Sequence, residues 1–161
     1  MIEKELKQLV VHSCEEVFEK MIMSHIEPVE DQTFTIQNEK HITATIGFAG
    51  TWDGFISVQC GESLAYSLAA QMLYTDVNNL DESEMRDALG EIVNMIGGKF
   101  KASFAEKFNQ GIEAFKMSVP SVITGKNYDV YAVGSDSILE ILLLTQEKQF
   151  FIELALKQKP N

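Results

Sequence analysis

The chain has 161 residues, with 13 Lys and Arg against 24 Asp and Glu and a formal net charge of −11. Its hydrophobic fraction of 45% and charged fraction of 23% are those of a globular chain and exclude a disordered one. Phosphate backbones and anionic lipid repel such a charge, so nucleic-acid binding and membrane-surface roles are not expected.

The N-terminal segment, Met1 to Val10, mixes charges into its apolar residues and has no signal-peptide h-region, which predicts a cytoplasmic protein. From Ile2 to about His25, Leu6, Leu9, Val10, Val17, Phe18, Met21 and Ile22 recur at helical spacing, and Pro28 blocks continuation. The period then changes to two. Phe34 and Ile36 alternate with polar residues, as do Ile42 to Phe48 and Trp52 to Cys60, with Gly50 and Asp53-Gly54 as turn signals. This predicts a meander of two or three antiparallel strands, each with one buried face.

Helical spacing returns from Glu62 to Tyr74, with Leu64, Leu68 and Met72 on one side. Val77 to Asn79 reads as a loop, and Asp81 with Glu84 forms a capping box for a long helix running to Phe108. Strands are expected at Phe115 to Val119, ended by Pro120, and at Tyr128 to Val133, Ile138 to Thr145 and Phe150 to Leu156. Gly134-Ser135-Asp136 and Gln146-Glu147-Lys148 are the turns, and the last two strands form a hairpin. Apolar runs such as Ile141 to Leu144 and Phe150 to Ile152 fall far short of the roughly 20 residues that span a bilayer. A domain takes about 100–200 residues, so residues 1–161 are expected to form a single domain. The order of helix, strands, two helices and strands predicts an α+β fold, a largely antiparallel sheet with long helices packed on one face.

Cys14 and Cys60 are far apart and read as reduced thiols, and His12, His25 and His41 lack metal-ligand spacing. No phosphate-binding glycine loop occurs. The informative segment is the long helix. Met85, Leu89, Ile92, Val93, Ile96 and Phe100 form its apolar face, and Asp87, Glu91, Asn94 and Gly98 lie on an opposite ridge. A mid-helix glycine costs about 1 kcal/mol relative to Ala, so the pair Gly97-Gly98 asks for a reason. One reason is close approach of another surface. On spacing alone, the ridge also fits a solvated face with a packing glycine.

The run Gly90-Glu91-Ile92-Val93-Asn94-Met95-Ile96-Gly97-Gly98 resembles the motif helix of the CheX/CheC/FliY chemotaxis phosphatases. That motif has an acidic residue or Ser, three residues, Glu, two residues, then Asn, with a later Pro. Asp87, Glu91 and Asn94 match its first three positions, and Pro120 serves as the later Pro. Val122, Ile123 and Gly125 resemble the continuation, in which a strand leads into a Gly turn. Laying the first helix on the long one puts Glu16 on Glu91 and Glu19 on Asn94. The Asn is absent there, so the chain resembles the single-motif, CheX-like type.

The resemblance implies a phosphatase for the aspartyl phosphate of a CheY-type response regulator. Such chemistry needs mainly a positioned nucleophile and charge neutralisation. Asn94 would position the attacking water through its amide, and Glu91 would anchor the regulator's active-site Lys. Asp87 would extend that contact, and Gly97 and Gly98 would leave room for the partner. No cofactor or metal is expected on this chain, since Mg²⁺ would belong to the regulator. The alternative is a non-enzymatic adaptor of the same fold that binds a regulator without turnover. A small-molecule sensory module would need a pocket with converging polar groups, and no cluster in the sequence suggests one. The last two strands are apolar on both faces, so a second copy is expected to cover part of them, giving a homodimer, as the resemblance also implies. Otherwise the N-terminal helix covers that face.

Overall fold

The computed structural model describes residues 2–36, 38–111, 115–130, 134 and 137–160. Helix α1 spans Ile2–Val17 and runs into a π-helical turn, Phe18–Ile22. It ends short of His25 because Met23 adopts φ 57° and its N–H caps Phe18 O. Strand β1 (Glu27–Pro28) follows, with Pro28 at a sheet edge where a missing N–H costs no ladder bond. The strand expected at Phe34 and Ile36 does not form. Phe34 instead stacks its ring on Phe151 at 5.5 Å, so its burial comes from the face of the sheet and not from pairing.

Strands β2 (His41–Gly50) and β3 (Trp52–Gly61) form the expected hairpin. Asp53-Gly54 belongs to β3 and not to the turn. Gly54 passes so close to its neighbour strand that a Cβ would overlap the Ala155 carbonyl. Helix α2 spans Glu62–Leu73, and a 3₁₀ turn occupies Val77–Asn79. Helix α3 spans Glu82–Lys107. Its capping box is formed: Glu84 N–H donates to Asp81 Oδ1 at 2.8 Å, and Asp81 N–H to Glu84 Oε1 at 3.3 Å.

The segment expected as one strand to Val119 is a shorter β4 (Phe115–Met117), followed after Pro120 by β5 (Ser121–Gly125). Both pair with β2. Residues 128–130, expected to begin a strand, are not in the sheet, and 131–133 lie outside the described residues. Tyr128 lies on the sheet instead. Its ring stacks on His41 at 4.7 Å and its hydroxyl is 2.8 Å from Thr43 Oγ1. Of the expected turn after it, only Gly134 is described. Strands β6 (Ser137–Thr145) and β7 (Lys148–Gln158) make the last hairpin. Gln146 and Glu147 both have positive φ, the geometry of a tight primed turn.

All strand pairs are antiparallel, in the order β1-β6-β7-β3-β2, with β4 and β5 sharing the outer edge of β2. One face carries Ile42, Ile46, Val58, Leu139, Ile152 and Leu154, which join the buried sides of α1, α2 and α3 in one core. The fold is therefore the expected α+β arrangement, helices on one side of a largely antiparallel sheet. The N-terminal helix packs into that core, so it does not cover the second face. Cys14 and Cys60 are free thiols in the core, and burial pushes Cys60 up to about 12 and Cys14 further still. Among the described residues no helix is long and apolar enough to cross a membrane.

Candidate functional site

Helix α3 turns Met85, Leu89, Ile92, Val93, Ile96 and Phe100 into the core, as its periodicity requires. Asp87 and Glu91 are exposed, and Asn94 and Gly98 are half-buried. The four lie along one ridge. Glu91 and Asn94 are three residues apart, so their side chains leave the same side of neighbouring turns.

The two glycines do different things. Gly97 is buried and faces β2, where a Cβ would lie 2.8 Å from Ile46 Cγ2. The expectation that Gly97 makes room for a partner is corrected here: it lets α3 approach the sheet. Gly98 has nothing within 4 Å of its Cβ position, so it leaves the ridge open beside Asn94.

Pro120 comes to the ridge from β2's outer edge. A shallow groove is lined by Arg86, Asp87, Gly90 and Glu91 on one side and by Val119, Pro120 and Val122 on the other. A Cβ at Gly90 would lie 3.7 Å from the Pro120 ring and from Val122 Cγ2, an ordinary contact distance. Val119 stands 85% exposed at the rim. Side-chain contacts add to the pairing of β4 and β5 with β2. Ser118 Oγ accepts the Gly47 N–H at 2.9 Å, and Thr124 Oγ1 donates to Glu82 Oε1 at 3.3 Å.

Charge is unevenly satisfied along the helix. Arg86 pairs with Glu82 at 3.8 Å, and Lys99 with Glu16 of α1 at 3.0 Å. Among the described residues, Asp87 and Glu91 have no ion-pair partner. Two exposed carboxylates beside an amide, a proline ring and an apolar rim form a surface that accepts a cation and excludes some water. Glu16 is occupied differently. Lys99 holds its carboxyl below the usual carboxylate range, and the pair lines a groove together with Val17, Met21, Met95 and Gly98. Among the described residues no three His, Cys, Asp or Glu side chains converge as metal ligands.

Sequence reasoning passed over Arg86 and the exposed Val119 as groove residues. Arg86 follows Glu82 by four, a spacing readable as a helix-surface pair. Nothing in the sequence marks Val119 as exposed.

The family model described as chemotaxis phosphatase CheX matches residues 42–144. No curated protein matches significantly. Among solved structures, chemotaxis protein CheX from Vibrio vulnificus is 26% identical, with a TM-score of 0.77 over 95% of this chain and 97% of that one. CheX from Desulfovibrio desulfuricans is 24% identical, with a TM-score of 0.77 over 95% and 99%. The CheX–CheY–BeF₃–Mg²⁺ complex from Borrelia burgdorferi is 19% identical, with a TM-score of 0.74 over 94% and 97%. The last two establish likeness of fold.

Proposed function

The chain belongs to the CheX family of chemotaxis phosphatases, and on that premise we propose that it hydrolyses the aspartyl phosphate of a CheY-type response regulator. In this reading α3 docks over the regulator's active site. The regulator supplies the phosphoryl group, Mg²⁺ and a Lys, and this chain supplies Glu91 and Asn94. The Borrelia burgdorferi relative was crystallised with CheY, BeF₃ and Mg²⁺.

The observation that carries the reading is the ridge itself. Glu91, which has no ion-pair partner among the described residues, lines the groove with Pro120, and one turn on stands the Asn94 amide beside an open Gly98. Glu91 accepts hydrogen bonds from the regulator's Lys, a charge-assisted contact that fixes the docked helix. The Asn94 carbonyl accepts from a water and its N–H₂ donates, so the amide orients the water without taking its proton. The water oxygen bonds to phosphorus, the bond from phosphorus to the aspartyl oxygen breaks, and inorganic phosphate leaves a free carboxylate. Positioning and charge placement supply the acceleration. Asp87 lies one turn before Glu91 and extends the acidic contact. Gly98 leaves space for the partner.

We further propose a two-fold homodimer joined at the edge of β6. Strand β1 pairs only with Leu143 and Leu144, and Val29 N–H adds a bond to Leu142 O at 2.9 Å. Beyond that point, Ser137 to Ile141 has no strand on this side among the described residues, and Ile138 is 44% exposed.

The test is phosphate release from a phosphorylated CheY-type regulator with and without the purified chain. Acceleration that saturates with regulator concentration supports the enzyme. Tight binding without acceleration identifies an adaptor.

A further inference from the structure

We propose that the sheet face remote from the helices carries a binding site for a small organic cation bearing an amine or a guanidinium. Side chains alternate along a strand, so the neighbours of the core residues Ile152 and Leu154 point away from the helices. Glu153 is one of them, opposite Glu140 on β6 and opposite Ser57 on β3. A cavity lies over this face, lined by Phe34, His41, Tyr128, Glu140, Phe151 and Glu153 among others.

Glu153 is only 6% exposed, and its Oε1 is buried without a hydrogen-bond partner, as is Ser57 Oγ one strand away. Leaving a buried acceptor empty is costly, and more so for a carboxylate. Like carboxylates directly opposite one another add to the cost. Burial, and then the Glu140 charge, push the Glu153 carboxyl up. A ligand that brings N–H donors and one positive charge relieves both penalties.

The surroundings select the kind of cation. Among the described residues, four acidic side chains, Glu39, Asp129, Glu140 and Glu153, line the cavity against one cation, Lys126. Glu39 is already engaged by Ser63 N–H at 3.0 Å. The walls are aromatic: Phe34 stacks on Phe151 at 5.5 Å and meets His41 edge-on at 5.8 Å, and His41 stacks on Tyr128. Ring faces attract organic cations. Among the described residues no three ligating side chains converge, which argues against a bare metal ion. The site faces away from α3, so it is separate from the Glu91 groove.

Calorimetric titration of the full chain with benzylammonium and with agmatine tests this, with benzyl alcohol as the neutral counterpart. At least one of the cations binds, and benzyl alcohol does not. Glu153→Gln keeps the shape, and the cation then loses about tenfold or more in affinity, the worth of one charge-assisted hydrogen bond. Thermal unfolding shows whether that variant is folded. If it is not, Glu140→Gln, at an exposed position, decides by a several-fold loss. The proposal is overturned if neither cation binds, if benzyl alcohol binds as tightly, or if affinity is unchanged in the folded variant that decides.

Discussion

Pro120 packs against Gly90, with ring Cβ and Cγ each 3.7 Å from the position a glycine Cβ would take. This contact joins the α3 residue just before Glu91 to a segment thirty residues further along the chain. It sets how wide the groove beside Glu91 is, and it does so with two residues that carry no charge. Enlarging Gly90 is therefore expected to move Pro120 and Val119 before it disturbs the core. Gly90→Val lowers affinity for the phosphorylated regulator while thermal unfolding stays cooperative. A variant that docks as tightly as wild type would show that the groove takes no part.

The two adjacent glycines give a second prediction. Gly97→Val forces a branched side chain against Ile46 and lowers stability by about 1–3 kcal/mol, the usual cost of overpacking. Gly98→Ala meets nothing and removes a helix-breaking residue, so it stabilises by up to about 1 kcal/mol. The same change puts a methyl where the partner must come, and turnover falls. Urea unfolding and phosphate release together separate the two effects. Equal stability changes at both positions would contradict the orientation of the helix.

Glu153 makes stability depend on pH in an identifiable direction. Its folded value lies above the usual 4.5, because burial and the facing Glu140 disfavour the charged form. His41, Lys126 and Asp129 also line the cavity. The unfolded chain releases the proton first. The stabilisation is therefore full below 4.5 and is lost as pH rises through the raised value. Glu153→Gln removes that loss, so its advantage over wild type grows from acid to neutral pH. Urea midpoints across this range measure it, and parallel profiles would refute it.

The edge of β6 that no strand covers among the described residues predicts the assembly. Sedimentation at micromolar concentration gives twice the monomer mass, and Ile138→Lys, a charge on an exposed edge position, gives the monomer. A monomeric wild type would remove the dimer and leave the Glu91–Asn94 ridge intact, since both residues belong to one helix.

The helices and the hairpins were legible because each carries a local marker: the Asp81–Glu84 box, the helical spacing of α2, and the Gln146-Glu147 turn. The π-helical turn at Phe18 was not, since its apolar spacing continues smoothly and only the backbone of Met23 ends it. Phe34 and Ile36 alternate like a strand, but two residues cannot distinguish pairing from a side chain lying on a sheet. Gly97 could have been assigned correctly. It follows Val93 by four residues and so shares the core face, whereas Gly98 follows Asn94 by four and shares the ridge. The cavity over the sheet draws its polar groups from β2, β3, β6, β7 and two loops, so no local spacing reveals it.

Asn94→Ala tests the central claim most directly. Single-turnover phosphate release is measured with this chain in saturating excess over the phosphorylated regulator, and binding is measured separately. If the amide orients the water, the variant loses about 100-fold or more in rate, the scale of a lost positioning contact, while regulator affinity stays near wild type, because the interaction is realised mainly in the transition state. Release at close to the wild-type rate would contradict the account.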